Sequence, residues 1–285
     1  MIGNNLLGIY EKALNPSDSW DQRLEKAKKC GFDFVEISID ETDERLARLY
    51  WNKTEKKQLR DAIWNNDMPI LSMCLSGHRK FPFGSANPEI AAKAREILDR
   101  AIEFCIDMGI RTIQLAGYDV YYEKSNRDTL KRFMEGLAYS VEQAASKEIM
   151  IAMEIMDTRH ISSISRYNWY KKQLDSPWFN VYPDIGNLSA WGNDIENEIR
   201  DYIEDIVAFH LKETLAVSKD FNGKFKCVPF GTGCVNFPAF FRLMDEMNFT
   251  GPYMIEMWHQ PGDDDVENIS AAKKFIEEKF EERSQ

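Results

Sequence analysis

Acidic and imidazole side chains interrupt four apolar segments in the second half of the chain. Glu154 stands near the end of the run IMIAMEIMD, which spans residues 149–157. Asp184, His210 and Glu256 hold comparable positions in YPDIGN, AFHLKE and MIEMW. A buried carboxylate without a partner costs several kcal/mol of desolvation, so each of these acidic residues needs a cation or strong hydrogen bonds beside it.

One divalent cation would satisfy this set if the four residues meet in one place. Three carboxylates and an imidazole would repel one another and lose hydration as a bare cluster, whereas a metal ion binds all of them. The oxygen-rich set favours Mn²⁺, Mg²⁺ or Co²⁺, and catalytic Zn²⁺ also accepts these ligands. Taken singly, each residue has an ordinary alternative as an ion pair, a turn residue or a packed core histidine. We predict one divalent metal ion bound by Glu154, Asp184, His210 and Glu256.

The segments that carry these residues belong to a regular alternation of strands and helices. Short apolar runs predict strands, and longer segments with i, i+3, i+4 apolar spacing predict helices. The predicted strands are residues 6–10, 32–39, 70–76, 112–118, 149–156, 179–185, 206–212 and 252–258. A helix between Ser19 and Gly31 has a capping residue at its start and glycine at its end. A second helix is predicted between Pro88 and Gly109, with proline in its first turn and glycine at its end. Residues 263–285 are predicted to form a closing helix.

Continuous apolar strands, each followed by a helix, indicate parallel pairing with both faces of the sheet covered. Eight such units predict a single α/β domain over residues 1–285, a (β/α)8 TIM barrel. An open doubly wound sheet is the alternative, but no G-x-G-x-x-G or Walker-type turn follows the first predicted strand. Because the C-terminal ends of barrel strands meet at one mouth, strands five to eight would bring the predicted ligands together.

Composition and charge exclude several classes of protein. The 285 residues are 44% hydrophobic and 29% charged, which is typical of a globular domain. A formal net charge of −11 argues against a broad surface for nucleic acid or an anionic membrane. Five cysteines without a C-x-x-C pair do not indicate a disulfide framework or a cysteine zinc site. No secretory pattern or bilayer-spanning apolar run is present, so we expect a cytoplasmic protein without a membrane partner.

Further polar residues fall at or just beyond the first three predicted strands. Glu11, Glu36 and His78 are predicted to hydrogen-bond a substrate or to support the metal ligands. Arg79 and Lys80 follow in SGHRKF and could hold an anionic group of a substrate. Helix capping, loop bridges and simple solvation are the alternative roles for these five residues.

Two later segments also offer groups for an anion. Lys212 follows His210 in HLKET and is a third basic residue that could bind an anionic substrate group. The turn PFGTGCVNF places Gly231 and Gly233 before a predicted helix, where backbone N–H groups could receive a phosphate.

The motifs together resemble a known enzyme family along nearly the whole chain. GIYEKAL, SMCLSGHR, AMEIMD, YPDIGNLSAW, PFGTG and GPYMIEMW are similar to segments of the L-xylulose 5-phosphate (L-ribulose 5-phosphate) 3-epimerases of L-ascorbate and related sugar catabolism. These enzymes are xylose isomerase-like barrels, and the resemblance implies the same four metal ligands. Free-ketose 3-epimerases often carry D-x-x-H in strand six with the histidine near the substrate, whereas Asn187 takes this place here. The resemblance therefore implies a small phosphosugar substrate, with Asn187 beside it, and a homodimer.

The resemblance also implies a reaction, that of an isomerase acting at C3 of a pentulose phosphate. Glu154 and Glu256 would exchange the C3 proton from opposite sides through a metal-stabilised cis-enediolate. The alternatives are an aldose–ketose isomerase or free-ketose 3-epimerase on the same barrel, an endonuclease IV-like phosphodiesterase, and a barrel that binds sugar without catalysis. Four histidines and an acidic charge disfavour the nuclease. The paired carboxylates disfavour simple sugar binding, which would not require them.

Overall fold

The computed structural model describes residues 1–284 and confirms the predicted alternation of strands and helices. Its strands are β1 Leu7–Tyr10, β2 Phe34–Ile39, β3 Ile70–Leu75, β4 Thr112–Ala116, β5 Met150–Glu154, β6 Phe179–Tyr182, β7 Phe209–Leu211 and β8 Tyr253–Ile255. Its α-helices are α1 Trp20–Lys29, α2 Asp43–Ala47, α3 Lys53–Asn66, α4 Pro88–Met108, α5 Arg127–Ala145, α6 Ile164–Leu174, α7 Ile185–Ala190, α8 Ile195–Tyr202, α9 Phe237–Glu246 and α10 Asp265–Glu282. Short 3₁₀ helices lie at Glu11–Ala13, Arg48–Tyr50, Gly77–Arg79 and Ile203–Asp205.

The strands form one parallel sheet that closes into a barrel. Within residues 1–284 the sheet has eight strands in the order β6-β5-β4-β3-β2-β1-β8-β7. Between the two ends of this order, the described residues form isolated parallel bridges, Val181 with Ile206 and Asp184 with His210. The (β/α)8 fold class is therefore confirmed. The second bridge joins two predicted metal ligands, so the barrel closes at the predicted site.

The strand that precedes Asp184 is shorter than the sequence predicts. β6 ends at Tyr182 rather than at residue 185. Pro183 follows, and it has no N–H to donate to a strand ladder. Asp184 is instead the N-cap of α7, where its Oδ1 accepts the N–H of Asn187 at 2.8 Å. One carboxylate oxygen is thereby fixed by the helix, and the other is left for the barrel mouth.

The helices begin and end where local chemistry predicts, and their apolar faces cover the barrel. Ser19 Oγ accepts the N–H of Gln22 at 3.3 Å, and the Gln22 side chain accepts the N–H of Ser19 at 2.9 Å. Gly109 ends α4 with a φ of 77°, a conformation that suits glycine. Every residue of β1 and β2 is buried, as expected for strands covered on both faces. Within residues 1–284, no helix is both long and apolar enough to cross a membrane.

A buried ion pair joins the ends of β1 and β2 to the segment after α2. Glu11 is 1% exposed and Arg48 is 3% exposed. Arg48 Nη1 donates to both carboxylate oxygens of Glu11, at 2.8 and 2.7 Å. The N–H of Ser38, on β2, donates to Glu11 Oε2 at 2.8 Å. Because both charges lie away from water, the loss of one would leave the other poorly compensated.

Replacing Arg48 with Met should lower the free energy of unfolding by about 3 kcal/mol. This value is the lower end of the range for breaking a buried ion pair, because two further arginines stay close to Glu11. Lys57→Met is the matched control. Lys57 pairs with Asp61 and both side chains are more than half exposed, so this variant should lose less than about 1 kcal/mol. Urea unfolding measures both changes. Equally small losses in the two variants would contradict the role given to the buried pair.

Candidate functional site

The four predicted metal ligands meet at the C-terminal mouth of the barrel. Glu154 is the last residue of β5, Asp184 caps α7, His210 lies within β7 and Glu256 follows β8 directly. Each residue offers one ligand atom, and these atoms all lie within 4.8 Å of one another. All four residues are buried, with exposures from 0% to 7%. The strand register thus produces the convergence that the sequence predicts.

The separations within this cluster are those of atoms around an ion rather than of hydrogen-bond partners. His210 Nδ1 is 3.8 Å from Glu154 Oε1, 4.0 Å from Asp184 Oδ2 and 3.7 Å from Glu256 Oε2. Hydrogen bonds are shorter, about 2.7–3.2 Å. Ligand atoms that share one ion lie roughly 3–4 Å apart, since each metal–ligand bond is about 2.0–2.2 Å. The donor set of three carboxylates and one imidazole also suits a divalent ion.

Two carboxylate oxygens of the cluster face the ammonium group of Lys212 and no other donor among the described residues. These atoms are Asp184 Oδ2 and Glu256 Oε2. Lys212 Nζ is 2.6 Å from the first and 2.8 Å from the second, so the three groups form an ion-paired bridge. A carboxylate oxygen has two lone pairs, so each of these oxygens keeps one that a metal ion can use beside the contact with Lys212. The residues present therefore fit a metal ion.

The two glutamates of the cluster have opposite pKa shifts without a metal. Burial, together with the nearby charge of Glu256, raises the pKa of Glu154 to about 8. Burial alone would also raise the pKa of Glu256, but the Lys212 ammonium and the His210 ring outweigh it and hold that pKa well below its usual range. Burial raises the pKa of Asp184 to about 6. Two carboxyl groups whose environments separate their pKa values are typical of acid–base pairs.

A small cavity opens onto the cluster and is lined by both acidic and basic side chains. Its walls include the carboxylates of Glu154, Asp157 and Glu256, together with the basic side chains of Lys12, Arg79, Lys212 and Lys226. Lys12 and Lys226 are not among the predicted site residues. Lys12 stands next to Glu11 after the first strand, and this position is a usable signal. Lys226 lies in the irregular segment between β7 and α9, three residues before the turn PFGTG and outside that motif.

Arg79 is held in the cavity wall by aromatic and acidic side chains. Its Nη2 donates to the Tyr118 hydroxyl at 3.1 Å, and its guanidinium lies 4.7 Å from the ring centre of Tyr121. Glu41 Oε1 is 3.7 Å from Nη1. These contacts connect the loops that follow β2, β3 and β4. They also fix a positive charge at one side of the cavity.

Asn187 and Lys212 are the other predicted substrate-binding residues that line this cavity. Asn187 Nδ2 donates to the carbonyl of Ile155 at 2.8 Å. Its Oδ1 is buried and has no hydrogen-bond partner among the described residues. An amide fixed at one end with its acceptor free can receive a substrate hydroxyl.

Five predicted substrate-binding residues do not line the cavity: His78, Glu11 and Lys80, and the two glycines of the turn described below. The His78 ring stacks on Phe83 at 4.4 Å, and its Nε2 lies 3.0 Å from the carbonyl oxygen of Ala94. Burial lowers the pKa of His78 to about 4, so the ring is a neutral core histidine near pH 7. Glu11 has its oxygens occupied in the ion pair described above. Lys80, with a 45% exposed side chain, pairs with another surface residue.

The glycine-containing turn is explained by its packing on Glu213. The N–H of Gly231 donates to Glu213 Oε2 at 3.0 Å, so in this structure a side chain takes the place predicted for a phosphate. A Cβ at Gly233 would lie 2.2 Å from Glu213 Oε1 and 2.2 Å from the carbonyl oxygen of Thr214. Glycine is therefore required at position 233 by close contact. Glu213 follows Lys212 in the sequence but carries no local signal of this role.

Comparison with known proteins places the chain in a family. Residues 24–279 match the family model described as xylose isomerase-like TIM barrel. The chain belongs to this family. SgbU of Escherichia coli K12 is 51% identical over 279 residues, which are 98% of each chain. UlaE of Escherichia coli K12, an L-ribulose-5-phosphate 3-epimerase, is 47% identical over 270 residues, which are 95% of this chain and 93% of UlaE.

Solved structures of low sequence identity share the fold of this family member. The D-allulose 3-epimerase from Methylomonas sp. in complex with D-allulose has a TM-score of 0.76 at 17% identity, covering 96% of this chain and 97% of that one. An L-ribulose 3-epimerase has a TM-score of 0.75 at 18% identity, covering 98% of this chain and 95% of that one. At these identities the likeness concerns the barrel alone.

Asp184→Asn should remove most of the stabilisation that a divalent ion confers, because it removes one charged ligand. Mn²⁺ at about 100 times its dissociation constant should stabilise the wild type by about 2.7 kcal/mol. Asp194→Asn is the matched control, since Asp194 is an exposed aspartate that caps α8 by accepting the N–H of Asn197. Thermal unfolding with Mn²⁺ or with chelator measures the effect. Equal Mn²⁺ stabilisation in both variants would contradict the assignment of Asp184 as a ligand.

Proposed function

We propose that the protein is a metal-dependent 3-epimerase that interconverts L-xylulose 5-phosphate and L-ribulose 5-phosphate. The observation that carries this proposal is the pair of buried carboxylates, Glu154 and Glu256, in one four-residue cluster beneath a cavity whose wall contains four basic side chains. The identity of 47% with UlaE, an L-ribulose-5-phosphate 3-epimerase, supports the same reaction and substrate.

Inversion at C3 of a ketose requires removal of a weakly acidic C–H proton and return of a proton to the opposite face. Glu154, Asp184, His210 and Glu256 would hold the divalent ion, for which Mn²⁺, Zn²⁺, Co²⁺ and Mg²⁺ are the candidates. The ion, when bound, supplies Lewis-acid stabilisation of the negative charge that develops on substrate oxygens.

Proton transfer is assigned to the two glutamates. They come from different strands, and both line the cavity, so a substrate C3 between them would have one carboxylate on each side. An epimerase needs two such groups, because one must accept a proton while the other donates one. The two roles exchange when the reaction runs in the other direction.

The basic side chains of the cavity wall favour a substrate with an anionic group. Lys12, Arg79, Lys212 and Lys226 outnumber the wall's three acidic residues, although Lys12 is already paired with Asp40. Lys212 is paired with Asp184 and Glu256 of the cluster, so it lies at the end of the cavity where proton transfer would take place. Arg79 is fixed on the wall by the loops after β2, β3 and β4 and is the best-held candidate for a phosphate contact.

Glu154→Gln and Glu256→Gln should each abolish epimerisation by at least about 10³-fold, because each removes one of two required proton-transfer groups. At saturating metal ion, each variant should still exchange the C3 hydrogen of only one epimer with D₂O, and the two variants should act on opposite epimers. NMR of L-xylulose 5-phosphate and L-ribulose 5-phosphate in D₂O measures inversion and exchange together.

The control for this experiment is Glu103→Gln, a surface carboxylate on α4 whose side chain is 59% exposed. It should retain wild-type turnover. Wild-type epimerisation without deuterium at C3 would contradict transfer by two carboxylates. An aldose product would show instead that the barrel is an aldose–ketose isomerase.

Arg79→Met should raise the KM for L-ribulose 5-phosphate by about 10-fold or more, since a charge-assisted contact contributes about 1.5–3 kcal/mol. Lys80→Met is the control, because the neighbouring lysine points to the surface and should leave KM close to the wild-type value. Steady-state kinetics with the phosphorylated sugar measure both. An unchanged KM in Arg79→Met would contradict the phosphate contact.

A further inference from the structure

Glu36 is a buried charged residue for which the proposed proton transfers have no use. It lies within β2 and is 0% exposed, inside the barrel. Its Oε2 accepts a hydrogen bond from Ser72 Oγ at 2.6 Å. Its Oε1 is 3.1 Å from Nε2 of His210, one of the four cluster residues. A carboxylate buried this deeply requires strong hydrogen bonds, and one of its two partners is a metal-ligand candidate.

The contact with Glu36 favours a hydrogen on Nε2 of His210. A carboxylate oxygen accepts hydrogen bonds, so the Nε2–H is the donor in this contact. A neutral imidazole has a single N–H, and with that hydrogen on Nε2 the lone pair lies on Nδ1. Nδ1 is the ring nitrogen that faces the carboxylates of the cluster, at 3.7–4.0 Å. The hydrogen bond on one side of the ring therefore prepares the other side for a metal.

Other neighbours of the ring do not account for this arrangement. Gln114 Nε2 lies 3.2 Å from Nδ1 and 3.0 Å from Nε2 of His210. Nearly equal distances to both nitrogens place this amide over the face of the ring, out of line with lone pairs that lie in the ring plane. Tyr182 packs against the ring at a centroid distance of 4.6 Å, with the planes 64° apart. Both contacts limit tilting of the ring, but neither favours one nitrogen over the other.

We propose that Glu36 is a positioning residue whose carboxylate keeps the His210 hydrogen on Nε2 and so presents Nδ1 to the divalent ion. Ser72 supports this role because its hydroxyl holds the second oxygen of Glu36. The inference rests on the metal site of the proposed function. It adds a requirement for metal binding that does not involve substrate, and it is tested without turnover.

The first test is a metal-affinity series on the whole protein. Zn²⁺ dissociation constants are measured by competition with a chromogenic chelator. Glu36→Gln keeps the size of the side chain but loses its charge, and Glu36→Met loses the acceptor as well. Loss of a carboxylate that supports a histidine ligand typically weakens metal binding about 10- to 100-fold. We expect a loss in this range for Glu36→Met and a smaller one for Glu36→Gln.

The matched control is Gln114→Met. It alters a buried polar neighbour of the same ring but leaves the hydrogen bond between Nε2 and Glu36 unchanged. Its dissociation constant should stay close to that of the wild type. If Gln114→Met weakens Zn²⁺ binding as much as Glu36→Met, packing around the ring is what matters and the proposal is overturned. If neither Glu36 variant weakens binding, it is overturned as well.

The second test reads the ring directly in the wild type, so it does not depend on how a variant folds. Long-range ¹H–¹⁵N NMR of ¹⁵N-histidine-labelled, Zn²⁺-loaded protein distinguishes a protonated nitrogen from a metal-bound one, with His210→Asn used for assignment. We expect a protonated Nε2 and a metal-bound Nδ1. A metal-bound Nε2 would overturn the proposal.

The outcomes also separate this inference from the proposed function. Wild-type protein that binds Zn²⁺ through Nδ1 but shows no epimerase activity would leave Glu36 in its role and remove the reaction. Wild-type protein that epimerises while its Zn²⁺ affinity is insensitive to Glu36 would keep the reaction and remove the positioning role. Wild-type protein without measurable Zn²⁺ affinity would contradict both.

Discussion

The burial of several like charges at the point where the barrel closes is the constraint on which the site depends. Glu154, Asp184 and Glu256 are almost fully removed from water, and the basic groups beside them are His210 and Lys212. A cluster of this kind costs several kcal/mol per uncompensated charge, and a fold does not keep it without a cation. The same low-dielectric setting strengthens any charge interaction between these residues and a substrate.

The fold creates that setting through its register. The parallel bridge between Asp184 and His210 completes the barrel, and the N-cap of α7 fixes one oxygen of Asp184 while the other faces the ligand atoms. On the inner side of the cluster, Glu36 holds the ring of His210. On the outer side, the loops after β2, β3 and β4 hold Arg79 in the cavity wall. Backbone pairing, hydrogen bonding and charge thus act on the same few side chains.

The sequence predicts the barrel well because parallel strands buried on both faces appear as continuous apolar runs, and the four polar interruptions stand out within them. The sequence is less informative where a side chain after a strand can point either to the cavity or away from it. His78 follows β3 yet stacks in the core, and Lys80 points to the surface beside Arg79, a choice that no local pattern encodes. The N–H of Gly231 donates to Glu213 in this structure rather than facing an open anion site, and this partner stands 18 residues earlier in the same irregular segment, too far for a local pattern to reveal it. The homodimer and the cytoplasmic location stay predictions.

The most direct test of the account is a crystal structure of the protein grown with Mn²⁺, with anomalous scattering recorded to locate the ion. The account predicts one anomalous peak at the barrel mouth, bonded to Glu154, Asp184, His210 Nδ1 and Glu256 at about 2.0–2.3 Å. The absence of such a peak at saturating Mn²⁺, with the Lys212 ammonium still bridging Asp184 and Glu256, would contradict it.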